Sequence, residues 1–164
     1  IASTNANDIV PNYLIKKEYH PKPSIQTISN AMDVGNPSNL VRIIDIYGDI
    51  NNLKNNLISW SFDDRETSDM IFNINDTYGY TMDPHSSVGI LGLLKYMRTQ
   101  SNDMNNIFLG TAHPGKFADI VDPIIGDRLE LPQRLKDVLS LEKRSIELNN
   151  NYDEFYDYLL TTFQ

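Results

Sequence analysis

The residue types able to do chemistry in this chain are few, and their spacing limits what they can do. There is no cysteine, so thiolate nucleophiles and disulfides are excluded. His20, His85 and His113 each stand beside a proline, which places them in turns or at helix starts. His85 and His113 lack the close spacing of a helical metal pair, so a metal hydrolase built on them and nearby aspartates is the weakest enzyme reading. Asp63 and Asp64 could act as an acid/base or metal pair, but such a pair more often caps a helix and favours its positive end. The densest cluster of reactive types is Asn106–Phe117, NIFLGTAHPGKF, where an apolar run breaks at Gly110 and delivers Thr111, His113 and Lys116 in quick succession.

The elements around that cluster decide where its side chains go. Ile107, Phe108 and Leu109 read as a strand buried on both faces, because a parallel strand covered by helices is continuously apolar. Gly110 then permits a close approach, and Thr111, Ala112 and His113 fall at the strand's carboxyl end, the edge where open α/β sheets bind ligands. Pro114 suits the first turn of the next helix.

In chain order, Ile1 to Thr4 read as the end of a strand. Asn7 or Asp8 caps a short helix with Leu14 and Ile15 inward, followed by a stiff connector at His20 to Pro23. Ser24 to Asn36 has no period and reads as a functional or tied-down loop. Asn36 is expected to cap a helix with Pro37 in its first turn, and Leu40, Val41, Ile43, Ile44 and Tyr47 recur at helical spacing until Gly48. One or two helical turns span Asp49 to Asn56. Ile58, Trp60 and Phe62 alternate as a strand, and a helix follows with Ile71, Ile74 and Tyr78 inward. Asp83 caps the next, with Pro84 and His85 in its first turn, Val88 to Met97 supplying apolar surface, and Gly89 and Gly92 allowing close packing. Ser101 to Asn106 is a polar turn. Helices follow after Pro114 and from Leu129 to Leu139, then a charged, asparagine-rich linker and an acidic, tyrosine-rich final helix.

Composition narrows the partners. With 164 residues, 40% hydrophobic and 22% charged, the chain can bury a core. A net charge of −8 with dispersed basic residues argues against nucleic acid and anionic membrane as partners. No apolar run approaches the length of a membrane span, and no basic-then-apolar leader opens the chain; the lack of cysteine fits a reducing cytoplasm, so a cytoplasmic protein is expected. Because the first residue is Ile1 and not Met, a truncated or processed product is expected.

Three strings, taken together, carry a resemblance. TAHPGKF resembles the TAHPAKF signature of threonine synthase, a pyridoxal phosphate enzyme; TISNAMDVGNPSN at Thr27 to Asn39 resembles that family's SNAMD loop; and GYTMDPHSSVG at Gly79 to Gly89 resembles its GY, DPH and AVG segment. They occur in the family's order, and the likeness runs from Ile1 to about Leu135. The implied fold is α/β: the C-terminal part of the large cofactor domain of a fold type II (tryptophan synthase beta-like) pyridoxal phosphate enzyme, with few strands surrounded by helices. Strands are expected near residues 1 to 4, 58 to 62 and 107 to 111. Residues 1–140 would belong to that domain, and 141–164 would form a linker and C-terminal helix.

The resemblance implies that the parent enzyme converts O-phospho-L-homoserine and water into L-threonine and phosphate. It places the pyridine-nitrogen contact at Thr111, whose hydroxyl can hydrogen-bond a neutral nitrogen. Asn30, Asp33, His85 and Lys116 are further active-site candidates because they lie in the matching strings. Lys116 belongs to the TAHPGKF match and not to the family's lysine motif, so its role is structural or at most phosphate-facing. The Schiff-base lysine and the glycine-rich phosphate loop are expected upstream of Ile1, so no catalytic lysine is expected here and the chain alone should be inactive. It should expose apolar faces to the missing N-terminal part of the same protein, and self-association follows from that. Helix amino ends after Asn36, Asp83 and His113 would support the anionic substrate and cofactor. Two alternatives stay open: another fold type II lyase or dehydratase, and a non-enzymatic interaction module.

Overall fold

The computed structural model describes residues 1–99 and 105–163. Two units are distinguishable, Ile1–Glu130 and Leu131–Gln164. The first contains a two-stranded parallel sheet, in which β1 (Ala2–Thr4) pairs with β2 (Ser59–Ser61) in the register Ala2 to Ser59, Ser3 to Trp60 and Thr4 to Ser61. Hydrogen bonds from Ala2 N to Ile58 O at 2.8 Å and from Phe62 N to Thr4 O at 3.0 Å extend the ladder at both ends. The strands expected at 1 to 4 and 58 to 62 are therefore present.

The third is not. Residues 107–111 form no strand, and Ile107 and Leu109 are 82% and 79% exposed. An apolar run becomes a buried strand only where a neighbour supplies ladder partners and a covering layer. No described residue of this chain supplies either. Most of the polar turn expected at Ser101 to Asn106 lies outside the described residues.

Helix α1 (Ile9–Lys16) buries Ile9, Tyr13 and Leu14 and stops at Lys17, whose φ of 62° is left-handed and whose N–H bonds Tyr13 O. Ile15, expected inward, is exposed, because it sits one step around the helix from Leu14. Helix α2 (Leu40–Tyr47) starts later than expected. Asn36 is not its cap: its side chain accepts from Tyr19 Oη at 2.6 Å, and residues 37–39 make a tighter turn with Leu40 N on Pro37 O. Helix α3 (Ile50–Asn56) is capped by Asp49, which accepts from Asn51 N and Asn52 N at 2.7 and 3.0 Å. Tyr13, Leu14, Leu40 and Leu53 form one core, joined by Ile43, Ile44 and Tyr47. Val41 points away from it and is exposed.

Helix α4 (Asp64–Tyr78) opens with a capping box: Asp63 Oδ1 accepts from Glu66 N at 2.8 Å, and Glu66 Oε2 accepts from Asp63 N at 3.0 Å. This gives the adjacent aspartates their structural use, since Asp64 also accepts from Ile28 N. Ile71 is buried, whereas Tyr78 at the helix end is exposed. Helix α5 (Pro84–Met97) lies against β1 and α4. At Gly92 an added Cβ would fall 1.9 Å from Ser3 Oγ, so hydrogen is required where the helix meets the strand. Gly89 meets nothing of that kind; its missing side chain leaves open space instead. A 3-10 turn at Pro114–Phe117 leads into α6 (Ala118–Ile125), which packs on α4 and buries Val121.

The second unit holds α7 (Gln133–Leu139) and α8 (Tyr152–Thr162), the latter capped by Asn151 accepting from Glu154 N. No helix of the described residues is long and apolar enough to cross a membrane.

Candidate functional site

The loop carrying Asn30 and Asp33 is shaped by a buried polar network. After β1 the chain turns at Asn5 and Asn7, both buried. Asn7 pairs with the backbone of Ile25 as a strand would: its Oδ1 accepts from Ile25 N and its Nδ2 donates to Ile25 O, both at 2.8 Å. Asn5 Nδ2 donates to Thr27 Oγ1 and to Asp33 Oδ1, both at 2.8 Å. The Asp33 carboxylate also accepts from Asn7 Nδ2 at 3.1 Å, Thr27 Oγ1 at 2.7 Å and Thr27 N at 3.0 Å. A carboxylate with this many donors is a staple. Asp33 is thus committed to holding the Asn30–Met32 turn in place. A second closure lies at Gly35, where a Cβ would fall 1.9 Å from Lys22 O, and Lys22 N bonds Gly35 O at 2.9 Å.

A second polar centre opens α5. Asp83, 1% exposed, accepts from His85 N at 2.9 Å and Ser86 N at 3.3 Å through Oδ1, and from the Ser86 hydroxyl through Oδ2. Its Oδ1 also faces His85 Nδ1 at 3.0 Å. The other ring nitrogen, Nε2, accepts from Ala31 N at 3.2 Å, and the ring leans on Phe117 at 4.8 Å between centroids. His85 thereby touches both other strings of the sequence signature.

The three strings meet at a cavity of about 570 Å³, walled by Ala31 and Met32 from the pinned turn, His85, Gly89 and Leu93 from α5, and Ile107 to Leu109 with Thr111. The space left by Gly89 opens onto it. Thr111 is exposed at this wall, and a Cβ at Gly110 would sit 3.6 Å from Ser86 Oγ, an ordinary contact. Of the other candidate residues, Asn30 and Lys116 are exposed, and with Asp33 they fall outside the cavity lining. No lysine, arginine or carboxylate lines it among the described residues.

The expected anion supports fare differently. The Asp83 carboxylate occupies the first N–H groups of α5, and His113 Nδ1 accepts from Gly115 N at 3.0 Å, so both amino ends are satisfied by the chain itself. Sequence reasoning passed over Asn5, Thr27 and Ser29, which frame the loop, and Phe117, which backs His85. The available signal was the density of small polar residues flanking a loop with no period.

Residues 86–158 match the family described as threonine synthase, C-terminal. The threonine synthase of Haemophilus influenzae is 35% identical over 98% of this chain and 37% of its own length, and that of Escherichia coli K12 is 39% identical over 82% of this chain and 31% of its own. Among solved structures, Escherichia coli threonine synthase superposes with a TM-score of 0.80 at 33% identity, over 98% of this chain and 36% of that one. The Brucella melitensis enzyme, solved with PLP bound, superposes at 0.72 with 26% identity over 96% and 39%.

The fold is therefore α/β and matches a part of these threonine synthase chains. The chain is similar to the C-terminal part of threonine synthases and spans a little over a third of the length of the relatives it matches most fully.

Proposed function

We propose that this chain supplies one wall of the cofactor and substrate site of a threonine synthase, which converts O-phospho-L-homoserine and water into L-threonine and phosphate. The observation that carries the reading is the convergence of three separated strings on one cavity, at Ala31, His85 and Thr111.

The donor set suits one part of pyridoxal phosphate and not another. Leu93 and Phe108 offer apolar surface for the flat ring, and the Thr111 hydroxyl can hydrogen-bond a neutral ring nitrogen. Among the described residues the lining has no cationic side chain for the phosphate, and the proposal gives that group to residues beyond this chain. When bound, the cofactor supplies an electron sink for proton movements between substrate carbons. The residues here bind and orient: Thr111 marks the ring edge, and the apolar wall excludes water from it. On this reading the lysine that takes the proton and the phosphate cradle belong to the remaining part of the enzyme, and the 164 residues alone are expected to carry out no turnover.

The test is to supply the full-length protein with pyridoxal phosphate and O-phospho-L-homoserine, and to measure phosphate and L-threonine together. Equal amounts of both are expected. Phosphate accompanied by a 2-oxo acid instead of threonine would assign the chain to a different lyase of the same fold, and no consumption would overturn the reading.

A further inference from the structure

His85 has two ring nitrogens with different neighbours. Nε2 is 3.2 Å from the Ala31 amide, which can only donate, so Nε2 must be bare. Nδ1 is 3.0 Å from Asp83 Oδ1, a carboxylate oxygen that can accept. Together these select the tautomer with its proton on Nδ1. Asp83 is itself locked by Ser86 and by two amides of its own helix, so the ring cannot turn without breaking a buried cluster. On its other side the ring contacts Phe117 of the TAHPGKF string.

We propose that His85 is a positioning residue: in the Nδ1–H tautomer fixed by Asp83, it holds the Asn30–Met32 turn in place along the cavity through the Ala31 amide, with Phe117 as its backing. Asp33 staples the far end of this turn to the core, and His85 latches the end that faces the cavity. The two anchors are independent, since no residue of the Asp33 network touches His85 directly among the hydrogen bonds of the described residues. The consequence for catalysis rests on the function proposed above. Loosening the turn weakens substrate capture more than it slows the chemical step, because Ala31 and Met32 line the cavity while Thr111 keeps its place.

The test uses the full-length enzyme and two variants that separate the ring from its acceptor. His85→Phe keeps an aromatic ring against Phe117 but offers Ala31 no acceptor; His85→Gln offers an acceptor at similar reach but no ring. Amide exchange at Ala31 is expected to quicken roughly fivefold in His85→Phe, the factor for one net hydrogen bond, and to stay near wild type in His85→Gln. The KM for O-phospho-L-homoserine should rise by a similar factor in the first variant, with kcat changing less. In the wild-type enzyme, histidine ¹⁵N spectra should show the His85 proton on Nδ1. A proton on Nε2, or Ala31 exchange unchanged in His85→Phe, would overturn the proposal. Ring spectra and exchange need no substrate, so a wild-type enzyme that makes no threonine would sink the functional reading and leave this one standing.

Discussion

The turn at Asn30–Met32 and the segment at 107–111 face the same cavity, yet one is fixed by buried polar side chains and the other presents bare apolar ones. Asp33, Asn5, Asn7 and Thr27 form a closed set of short hydrogen bonds whose members all lie within this chain. Such a set is directional and self-sufficient, and holds its shape without outside help. Ile107 and Leu109 depend on a covering layer, because apolar surface is stabilised only by what buries it. One wall of the cavity is therefore held by this chain's own hydrogen bonds, and the other presents uncovered apolar side chains.

Removing the staple should have the largest effect. Asp33→Ala leaves Asn5, Asn7 and Thr27 without their shared acceptor, and is expected to cost roughly 3 kcal/mol, read from the urea midpoint of the full-length protein. A cost below about 1 kcal/mol would mean that the polar network is not what fixes the turn. At the other wall, Leu109→Ser in the 164-residue chain should move stability by no more than about 0.5 kcal/mol while reducing self-association in sedimentation velocity. A large loss of stability there would show that Leu109 is covered within the chain, and the contrast between the walls would fail.

The smallest effect concerns the outer edge of the pinned loop. Asp8 is drawn in two directions: partial burial disfavours its charge, while hydrogen bonds from Lys22 and Asn12 and the Lys22 charge outweigh this and hold its pKa below the ordinary value. The carboxyl group binds its proton less readily when folded, so its contribution is present at neutral pH and fades as pH falls through the folded pKa. Both side chains of the Lys22–Asp8 pair, 3.1 Å apart, are partly exposed and screened by solvent. Lys22→Met should therefore cost at most about 0.5 kcal/mol at pH 7 and still less at pH 3. An equal cost at both pH values would assign the effect to the lysine's alkyl chain.

Much of this architecture is legible in the sequence because it is written in local chemistry. Asp63 and Asp83 announce their helices as capping residues, and Gly48, Gly79 and Gly126 end theirs at positive φ. The site was legible as strings and not as geometry: TAHPGKF, SNAMD and DPH could be placed along the chain, but their meeting at His85 required coordinates. Two features defeated the reading for physical reasons. Asn36 looks like a cap, and only the tertiary contact with Tyr19 takes it away. The 107–109 run has the composition of a buried strand, but composition records what a segment needs, while the structure records what surrounds it. The Asn5 and Asn7 network was hidden for a third reason, since its hydrogen bonds join positions about twenty or more residues apart.

In the function proposed above, Thr111 meets the cofactor at the place where these strings converge. The most direct measurement is the pyridoxal phosphate dissociation constant of the full-length enzyme carrying Thr111→Val, taken beside its urea midpoint. Loss of one hydroxyl with little change in volume should weaken cofactor binding by about tenfold, or roughly 1 to 2 kcal/mol, and leave the midpoint of the cofactor-free enzyme unchanged, because Thr111 is exposed in this chain. Cofactor affinity and turnover equal to wild type would contradict the claim and remove Thr111 from the site.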